Sequence, residues 1–184
     1  MRKVLYGLNV SLDGYYEDIN GSIDWSVPDA ELFSHFVDLE KEVEVHLYGR
    51  KLYETMNYWR PAGQNFDKLE LEYAKCWNRN PNVVFSRTLE TVAPNDRLVR
   101  DNIAEEVNKL KSGPGKYMAV GGGDIASTFI KLGLIDEYRV YLRPIVLGKG
   151  KPMFQSLTKN LHLKFIDSKI FDSGVVLLRY QNAE

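Results

Sequence analysis

Short apolar runs alternate with segments of helical periodicity along most of the chain. Four runs of β-forming residues are bounded by turn residues and predict buried strands. These runs are Val4 to Val10, Val43 to Tyr48, Asn82 to Thr88 and Tyr117 to Val120. Between them, apolar residues recur three or four positions apart, as on the core-facing side of a helix. These stripes are Leu32, Phe33, Phe36 and Val37; Phe66, Leu69, Tyr73 and Cys76; Ile103, Val107 and Leu110; and Ile125, Phe129 and Leu132. Such alternation predicts an α/β fold with a largely parallel sheet.

The last part of the chain changes pattern, because strands follow one another without helices between them. Glu137 to Leu142 is followed by apolar runs at Leu161 to Ile166 and at Val175 to Tyr180. Strands joined without a helical crossover pair antiparallel, so we expect a mixed, mostly parallel sheet with antiparallel strands at one edge. The connection from Ile145 to Phe154 is apolar, glycine-rich and basic, and either contacts a ligand or partner subunit or is a plain loop. Residues 1–184 are predicted to form a single domain.

Composition limits the kinds of molecule that this protein is expected to bind. The chain has 24 basic and 25 acidic residues and no basic run that could neutralise a nucleic-acid backbone. No apolar stretch approaches the roughly 20 residues of a membrane span, and the amino-terminal sequence lacks a signal-peptide core, so a soluble cytoplasmic protein is expected. One cysteine, Cys76, excludes an internal disulfide and a cysteine-rich zinc site, and the three histidines lack ligand spacing. We therefore expect no metal.

The stretch from Tyr117 to Ala126 carries the clearest chemical signal, since an apolar run ends in three glycines and a helix begins at once. The residues of this glycine turn are Gly121, Gly122, Gly123, Asp124, Ile125 and Ala126. Glycines there permit positive φ angles, and the first helical turn offers unpaired N–H groups and the positive end of its dipole. The arrangement suits a phosphate group. The alternative is a tight strand-to-helix turn with Asp124 as the N-cap.

The same letters fit the dinucleotide fingerprint G-x-G-x-x-A, but their context does not. That fingerprint expects an acidic residue at the end of the next strand, for the ribose hydroxyl. Here the strand from Glu137 to Leu142 is followed by Arg143 and Pro144. We therefore predict a phosphate-binding turn outside a Rossmann fold.

Two further strand ends carry cations. The second strand leads into Gly49, Arg50 and Lys51, and the third ends in Ser86 and Arg87. Ligands of open α/β sheets lie beyond the carboxyl ends of the strands. We therefore expect these residues and the glycine turn to converge on one extended anionic ligand.

The loop after the first strand combines a carboxylate with flat aromatic side chains. Asp13, Tyr15, Tyr16 and Trp25 follow Asn9 along the chain. They could hold a planar ring at the edge of a cleft, or the aromatic residues could simply cover the core.

Together these motifs resemble the dihydrofolate reductase-like family, particularly the single-domain relatives of the reductase half of bacterial riboflavin-biosynthesis deaminase-reductases. The matching pieces occur in family order over nearly the whole chain. They are Ser11 to Gly14, Gly49 to Glu54, Val84 to Thr88, Gly121 to Asp124, Leu134 to Glu137 and Pro144 to Gly150.

The resemblance implies a three-layer α/β/α sandwich that binds NADPH. Arg50, Ser86 and Arg87 would lie near the adenosine phosphates, and the glycine turn would hold the pyrophosphate. A guanidinium group suits the 2′-phosphate that distinguishes NADPH from NADH. The implied chemistry is hydride transfer to a small heterocycle of pterin or pyrimidine type, with Asn9, Tyr15 and Trp25 on the substrate side.

The chain departs from the best-known members at the substrate. In bacterial dihydrofolate reductases, the pterin-binding carboxylate lies two residues after the proline of a Trp-x-x-Pro helix start, a position occupied here by Ala30. Asp29 and Glu31 flank it, but each residue turns a helix by about 100°, so neither need point to the same place. Folate reduction is therefore not expected. Asp13 is the other candidate for orienting or protonating a substrate.

Two hypotheses follow. The leading one is an NADPH-dependent reductase of a small heterocycle, and the alternative is a catalytically idle nucleotide- or flavin-binding dimer of the same fold. A zinc deaminase activity is excluded, because a single cysteine cannot supply its ligands. The resemblance and the apolar edge strands, which need cover, predict a homodimer.

Overall fold

The computed structural model describes residues 1–61, 65–155, 157 and 159–183. Ten strands and five α-helices lie in these ranges. The strands are β1 (Lys3–Val10), β2 (Tyr15–Asp18), β3 (Val43–Gly49), β4 (Asn82–Phe85), β5 (Arg97–Val99), β6 (Tyr117–Gly121), β7 (Glu137–Leu142), β8 (Gly150–Pro152), β9 (Leu163–Ile170) and β10 (Val176–Asn182). The helices are α1 (Ala30–Lys41), α2 (Arg50–Met56), α3 (Lys68–Arg79), α4 (Ile103–Lys111) and α5 (Gly123–Lys131). Single 3₁₀ turns lie at Asp24–Ser26 and Asn57–Trp59.

Eight strands form one mixed sheet in the order β5-β4-β3-β6-β1-β7-β10-β9. The six strands from β5 to β7 are parallel. β10 runs antiparallel to β7 and to the edge strand β9. The short strands β2 and β8 pair antiparallel with each other, apart from the main sheet. The mixed, mostly parallel sheet predicted from the sequence is confirmed.

Helices cover both faces of this sheet and complete the predicted three-layer α/β/α sandwich. α4 and α5 pack on one face through Val107, Ile125 and Phe129, over the largest buried cluster. α1, α2 and α3 pack on the opposite face. Their contacts include Leu32 of α1 and Trp77 of α3, which are both fully buried.

The ends of α5 differ from those predicted from the sequence pattern. Its N-cap is Gly122, with no side-chain cap, so Asp124 does not have that role. Leu132 was predicted to face the core, and this was wrong: it follows the last helical residue and is 48% exposed. Gly133, with φ of 65°, ends the helix one turn too early for Leu132 to reach the core.

Several strand assignments also change. β2, β5 and β8 were not predicted, because three or four residues are too few to show periodicity. β9 begins at Leu163 and continues to Ile170, beyond the predicted end at Ile166, because an edge strand exposed on both sides has no apolar alternation. Phe66 lies before α3 and contacts Trp59 instead. The sequence at 58–63 predicts a loop. The structure has a 3₁₀ turn at Asn57–Trp59, and residues 62 and 63 lie outside the described residues.

A buried ionic cluster joins β6, β7 and β10. The Glu137 carboxylate accepts hydrogen bonds from Arg139 Nε at 2.8 Å, Arg179 Nε at 3.0 Å and the Tyr117 hydroxyl at 3.0 Å. Burial acts to raise the pKa of Glu137, but the bonds and charges of the two arginines outweigh it, and the pKa is lowered from 4.5. The fold therefore depends on Glu137 being ionised.

We predict that Glu137→Gln lowers the free energy of unfolding at pH 7 by about 3–5 kcal/mol, because it leaves buried Arg139 without its charge partner. Since the pKa of Glu137 is lower in the folded than in the unfolded protein, the wild-type advantage is complete above pH 4.5 and shrinks as pH falls below it. Urea denaturation at pH 7 and pH 4 measures both effects.

Glu42→Gln is the matched control. Glu42 pairs with Lys116 on the surface, so its loss is expected to cost less than about 1 kcal/mol. Equal costs for the two variants at pH 7 would contradict the account of the cluster.

Candidate functional site

The predicted anion-binding residues lie at one edge of the sheet, because the parallel strands β1, β3, β4 and β6 all end there. β3 and β6 are neighbours, yet the helices that follow them, α2 and α5, pack on opposite faces. A crevice opens where neighbouring connections diverge in this way. The two glycine junctions meet at this point, since the position of a Cβ on Gly49 lies 3.6 Å from Ile125.

The glycine turn leaves the amino end of α5 open. Gly122 has φ of 95°, which strains any residue with a side chain. The first intrahelical bond runs from the Ala126 N–H to the Gly122 carbonyl at 3.0 Å. The N–H groups of the three residues between them therefore have no intrahelical acceptor, and no side chain among the described residues caps the helix. A helix start of this kind is suited to binding an anion.

The other two glycines allow the turn to pack closely against its surroundings. A Cβ on Gly121 would overlap the Leu52 side chain of α2, and a Cβ on Gly123 would overlap the Tyr16 hydroxyl of β2. The turn is thus held from both sides by side chains of the protein. Glycine at 121 and 123 is required by this packing, independently of any ligand.

A lysine that the sequence analysis did not single out lies beside the turn. Lys151 Nζ, on β8, is 2.9 Å from Asp124 Oδ1 and 5.6 Å from the centre of the Tyr16 ring. Partial burial acts to lower the pKa of Lys151, but its contacts with Tyr16 and Asp124 raise it overall, so Lys151 is a cation at neutral pH. The basic, glycine-rich connection from Ile145 to Phe154 was the signal that pointed to it.

The strand-end cations lie at the same edge of the sheet as the turn. Arg50 and Lys51 are the first two residues of α2, and both are exposed. Arg87, after β4, lies 2.8 Å from Asp101 in an exposed ion pair. Arg100, after β5, donates to the Arg87 carbonyl at 3.2 Å. Sequence reasoning missed Arg100, because β5 was not recognised as a strand.

Ser86 has a local structural role. Its hydroxyl oxygen accepts hydrogen bonds from the N–H groups of Thr88 at 3.2 Å and Leu89 at 3.0 Å. These bonds fix the turn that presents Arg87.

On the opposite face of the sheet, near the same edge, lies an incompletely covered strip that we call the trough. Gly7 and Asn9 of β1 and Ala119 and Gly121 of β6 are only partly buried, although both strands are central in the sheet. These four residues alternate along their strands and so share the face covered elsewhere by α1 and α2. Gly7 and Ala119 have little or no side chain, whereas the Leu52 side chain covers Gly121. Asn9 Oδ1 is enclosed and has no hydrogen-bond partner in the described part of the chain.

The loop residues of the predicted substrate side have different surroundings. The Asp13 carboxylate is exposed and accepts from the N–H groups of Leu147 at 3.1 Å and Gly148 at 2.7 Å. Hydrogen bonds, first from Ser11 and then from these two N–H groups, lower the pKa of Asp13. Trp25 Nε1 donates to the Ser22 carbonyl at 3.2 Å, and Tyr15 is partly buried on β2.

The two carboxylates near the start of α1 bind backbone groups. Asp29 Oδ1 accepts from the Leu32 N–H at 2.8 Å and caps the helix, and this bond is the main cause of its lowered pKa. Glu31 Oε2 accepts from the Asp172 N–H at 2.9 Å, which ties α1 to the turn between β9 and β10.

Two surface depressions lie away from these groups. One is beside Phe154 and Leu163, and the other is at the amino ends of β1 and β7, near Lys3 and Asp136. Neither contains a strand-end glycine or arginine. Within residues 1–61, 65–155, 157 and 159–183, no three His, Cys, Asp or Glu side chains are grouped so as to hold a metal ion. No helix in these ranges has the length and apolarity to cross a membrane.

We predict that Gly123→Ala lowers the free energy of unfolding by about 1–3 kcal/mol, because the new methyl group displaces the Tyr16 hydroxyl. Gly7→Ala is the control, since its Cβ would meet Arg139 at an ordinary contact distance of 3.5 Å. Thermal and urea denaturation of both variants make the comparison. Wild-type stability of Gly123→Ala would show that the contact with Tyr16 is absent.

Comparison with known proteins identifies the family. Residues 2–177 match the family described as the RibD C-terminal domain. The Bacillus subtilis protein YyaP, itself uncharacterized, is 38% identical over 180 residues, covering 97% of this chain and 94% of its own. The uncharacterized YwjB of the same organism is 27% identical over 179 residues and 96% of each chain.

Solved structures share the fold. A putative riboflavin biosynthesis protein from Shewanella superposes with a TM-score of 0.78 at 24% identity, over 99% of both chains. The Thermotoga maritima diaminohydroxyphosphoribosylaminopyrimidine deaminase/5-amino-6-(5-phosphoribosylamino)uracil reductase gives 0.68 at 15% identity, over 99% of this chain and 57% of its own. Dihydrofolate reductase from Enterococcus faecalis, solved with NADP(H), gives 0.66 at 12% identity, over 99% and 97%. The fold is thus that of the dihydrofolate reductase-like proteins, and the chain belongs to the RibD C-terminal domain family.

Proposed function

We propose that this protein is an NADPH-dependent reductase that transfers a hydride to a small heterocycle of pyrimidine or pterin type. Membership of the RibD C-terminal domain family supports a reductase of a pyrimidine-like substrate. The use of NADPH and of a small heterocycle is supported by one observation in particular. An open helix end, exposed basic residues and the trough all lie at one edge of the sheet. An extended, anionic cofactor with one planar end fits these three features together.

The pyrophosphate is assigned to the amino end of α5. Its free first-turn N–H groups and positive dipole end suit phosphate oxygens, and Lys151 adds a cation beside them. Arg50 and Lys51 stand at the amino end of the neighbouring α2.

The extra phosphate of NADPH is assigned to Arg87 and Arg100. Both guanidinium groups are at the ends of adjacent strands, and both are exposed. Arginine is the side chain best suited to phosphate, because its planar fork donates two parallel hydrogen bonds.

The substrate ring is assigned to the trough. Gly7 and Ala119 leave its floor flat, and the Asn9 side-chain NH₂ group offers two donors to the edge of a heterocycle. Tyr15 on β2 and Trp25 lie in the connection that leads from β1 to α1, and we assign them to the substrate side. The nicotinamide supplies the hydride when the cofactor is bound.

The proton that accompanies the hydride is assigned to water. The pKa values of Asp13 and Asp29 are both lowered, so neither carboxyl group holds a proton at neutral pH. Asp13 instead fixes the connection between β7 and β8 by binding Leu147 and Gly148. We therefore give Asp13 a positioning role.

A second candidate is a catalytically idle nucleotide- or flavin-binding protein of the same fold. It is favoured by the hydrogen bonds of Asp13, Asp29 and Glu31, which commit all three carboxylates to backbone N–H groups. Turnover separates the two candidates. Oxidation of NADPH by a pyrimidine or pterin acceptor supports the reductase, whereas binding without turnover across a broad acceptor panel supports the idle protein.

Cofactor choice gives the first prediction from this proposal. Arg87→Ala is expected to weaken NADPH binding roughly tenfold, about 1.4 kcal/mol, and to leave NADH binding unchanged, because only NADPH carries the extra phosphate. Calorimetric titration of both cofactors measures this. Arg79→Ala, a surface cation at the far end of α3, is the control and should match the wild type. Absence of NADPH binding by the wild type would overturn the proposal.

The second prediction concerns the Lys151–Asp124 ion pair. Substitution of its two members should change the affinity for NADPH in opposite directions. Lys151→Ala should weaken NADPH binding about threefold, because a cation beside the pyrophosphate is lost, while Asp124→Asn should strengthen it by a similar factor. Both effects should diminish at high salt if they are electrostatic. Changes of the same sign in the two variants would contradict the assignment of the pyrophosphate.

A further inference from the structure

Arg143 lies on the substrate side of the sheet edge. It directly follows β7, and its backbone N–H donates to the Val10 carbonyl at the end of β1, at 2.8 Å. Asn9 of the trough is opposite Tyr141, two residues before Arg143. The Nη2 group of Arg143 donates to the Val27 carbonyl at 2.8 Å, just before α1 begins. This bond places the guanidinium beside the start of α1, the helix that covers the face of the sheet with the trough.

The protein satisfies the guanidinium group of Arg143 poorly. Within the described residues its one hydrogen bond is that to Val27, and Nη1 is enclosed without a partner. Asp29 is the carboxylate that acts on Arg143 in this part of the chain, and it does so through its charge, without a hydrogen bond. Burial therefore lowers the pKa of Arg143, which remains a cation at neutral pH. An enclosed donor without an acceptor is costly, so an acceptor supplied by a ligand is favoured.

The other polar groups on this side of the site offer donors. The Asn9 NH₂ group has two N–H donors, and the Asn9 oxygen is enclosed. The carboxylates of Asp13, Asp29 and Glu31 accept from backbone N–H groups. A substrate that fits these groups presents oxygen acceptors, and one acceptor carries the charge that balances Arg143.

We propose that Arg143 binds a carboxylate carried directly on the substrate ring, so that the substrate is an anionic heterocycle. This inference rests on the proposed function, because it takes the ring to lie in the trough. Arg143 is only partly buried, so a ligand can approach it from solvent. The planar fork of a guanidinium group matches a carboxylate with two parallel hydrogen bonds.

Charge favours a carboxylate over a phosphate at this position. A phosphate group carries about two negative charges at pH 7, whereas a carboxylate carries one. Within the described residues no second cation acts on Arg143. One guanidinium group therefore balances a carboxylate fully and a phosphate only in part.

Matched pairs of ligands test the proposal. Orotate is uracil with a ring carboxylate, and pterin-6-carboxylate is pterin with one. In calorimetric titrations of the wild type saturated with NADP⁺, at least one of these carboxylates should bind about tenfold more tightly than its parent ring. Arg143→Gln should remove this difference and leave the binding of the parent ring unchanged. Equal binding within both pairs, or a preference that Arg143→Gln preserves, would overturn the proposal.

Two further variants separate the fork of the guanidinium from charge alone. Arg143→Lys keeps the charge without the planar fork, so it should retain only part of the preference for the carboxylate. Lys149→Gln is the matched control, because Lys149 is an exposed cation in the same connection between β7 and β8. It should keep the full wild-type preference. Loss of the preference in Lys149→Gln would mean that general surface charge, and not Arg143, selects the ligand.

A third kind of ligand distinguishes a carboxylate from a phosphate. Uridine monophosphate carries its phosphate on the ribose and has no ring carboxylate. If Arg143→Gln weakens the binding of uridine monophosphate more than that of orotate, Arg143 serves a phosphate and the proposal is wrong.

Binding of the cofactor keeps this test apart from that of the proposed function. Arg143→Gln should bind NADPH like the wild type, which also shows that the variant is folded. A wild type that does not bind NADPH would contradict the reductase itself. A wild type that binds NADPH but does not discriminate between a carboxylate and its parent ring would contradict only the role of Arg143.

Discussion

The open amino end of α5 depends on the close packing of Leu52 and Tyr16 against the glycine turn. Side chains at positions 121 and 123 would prevent this packing. Leu52 presses on the glycine turn from one side and the Tyr16 hydroxyl from the other, so the helix starts directly at the end of β6. Gly122 supplies the positive φ that this abrupt change of direction needs. Because no side chain caps the helix, its first N–H groups are available to a ligand.

The packing of the glycine turn also relates the cofactor side of the proposed site to its substrate side. Tyr16 reaches the turn because β2 pairs with β8, and β8 brings Lys151 beside Asp124. Asp13 binds the connection that precedes β8, so the loop after β1 and the loop after β7 form one unit above the sheet. On the other face, Gly7, Asn9 and Ala119 form the trough, and the Leu52 side chain covers Gly121 beside it.

The sequence predicted the layers and the strand-end positions well, because buried strands and amphipathic helices differ in period. The sequence also predicted which cations lie at one edge of the sheet, since parallel strands have their carboxyl ends at the same edge. Other features depend on contacts between distant segments. Recognising Arg100 depended on the three-residue strand β5, which pairs with β4. Recognising Lys151 depended on the pairing of β2 with β8. Recognising that Asp13 binds backbone groups depended on the loop at Gly148. Leu132 fitted a helical stripe that Gly133 cuts short.

The central claim is that the amino end of α5 binds the pyrophosphate of NADPH, and amide NMR spectroscopy tests it most directly. The account predicts that titration with NADPH produces saturable shifts of the N–H signals of Gly123, Asp124 and Ile125, larger than those elsewhere in α5. It is contradicted if NADPH binds while these three signals stay unchanged, or if saturating NADPH shifts no signal at all.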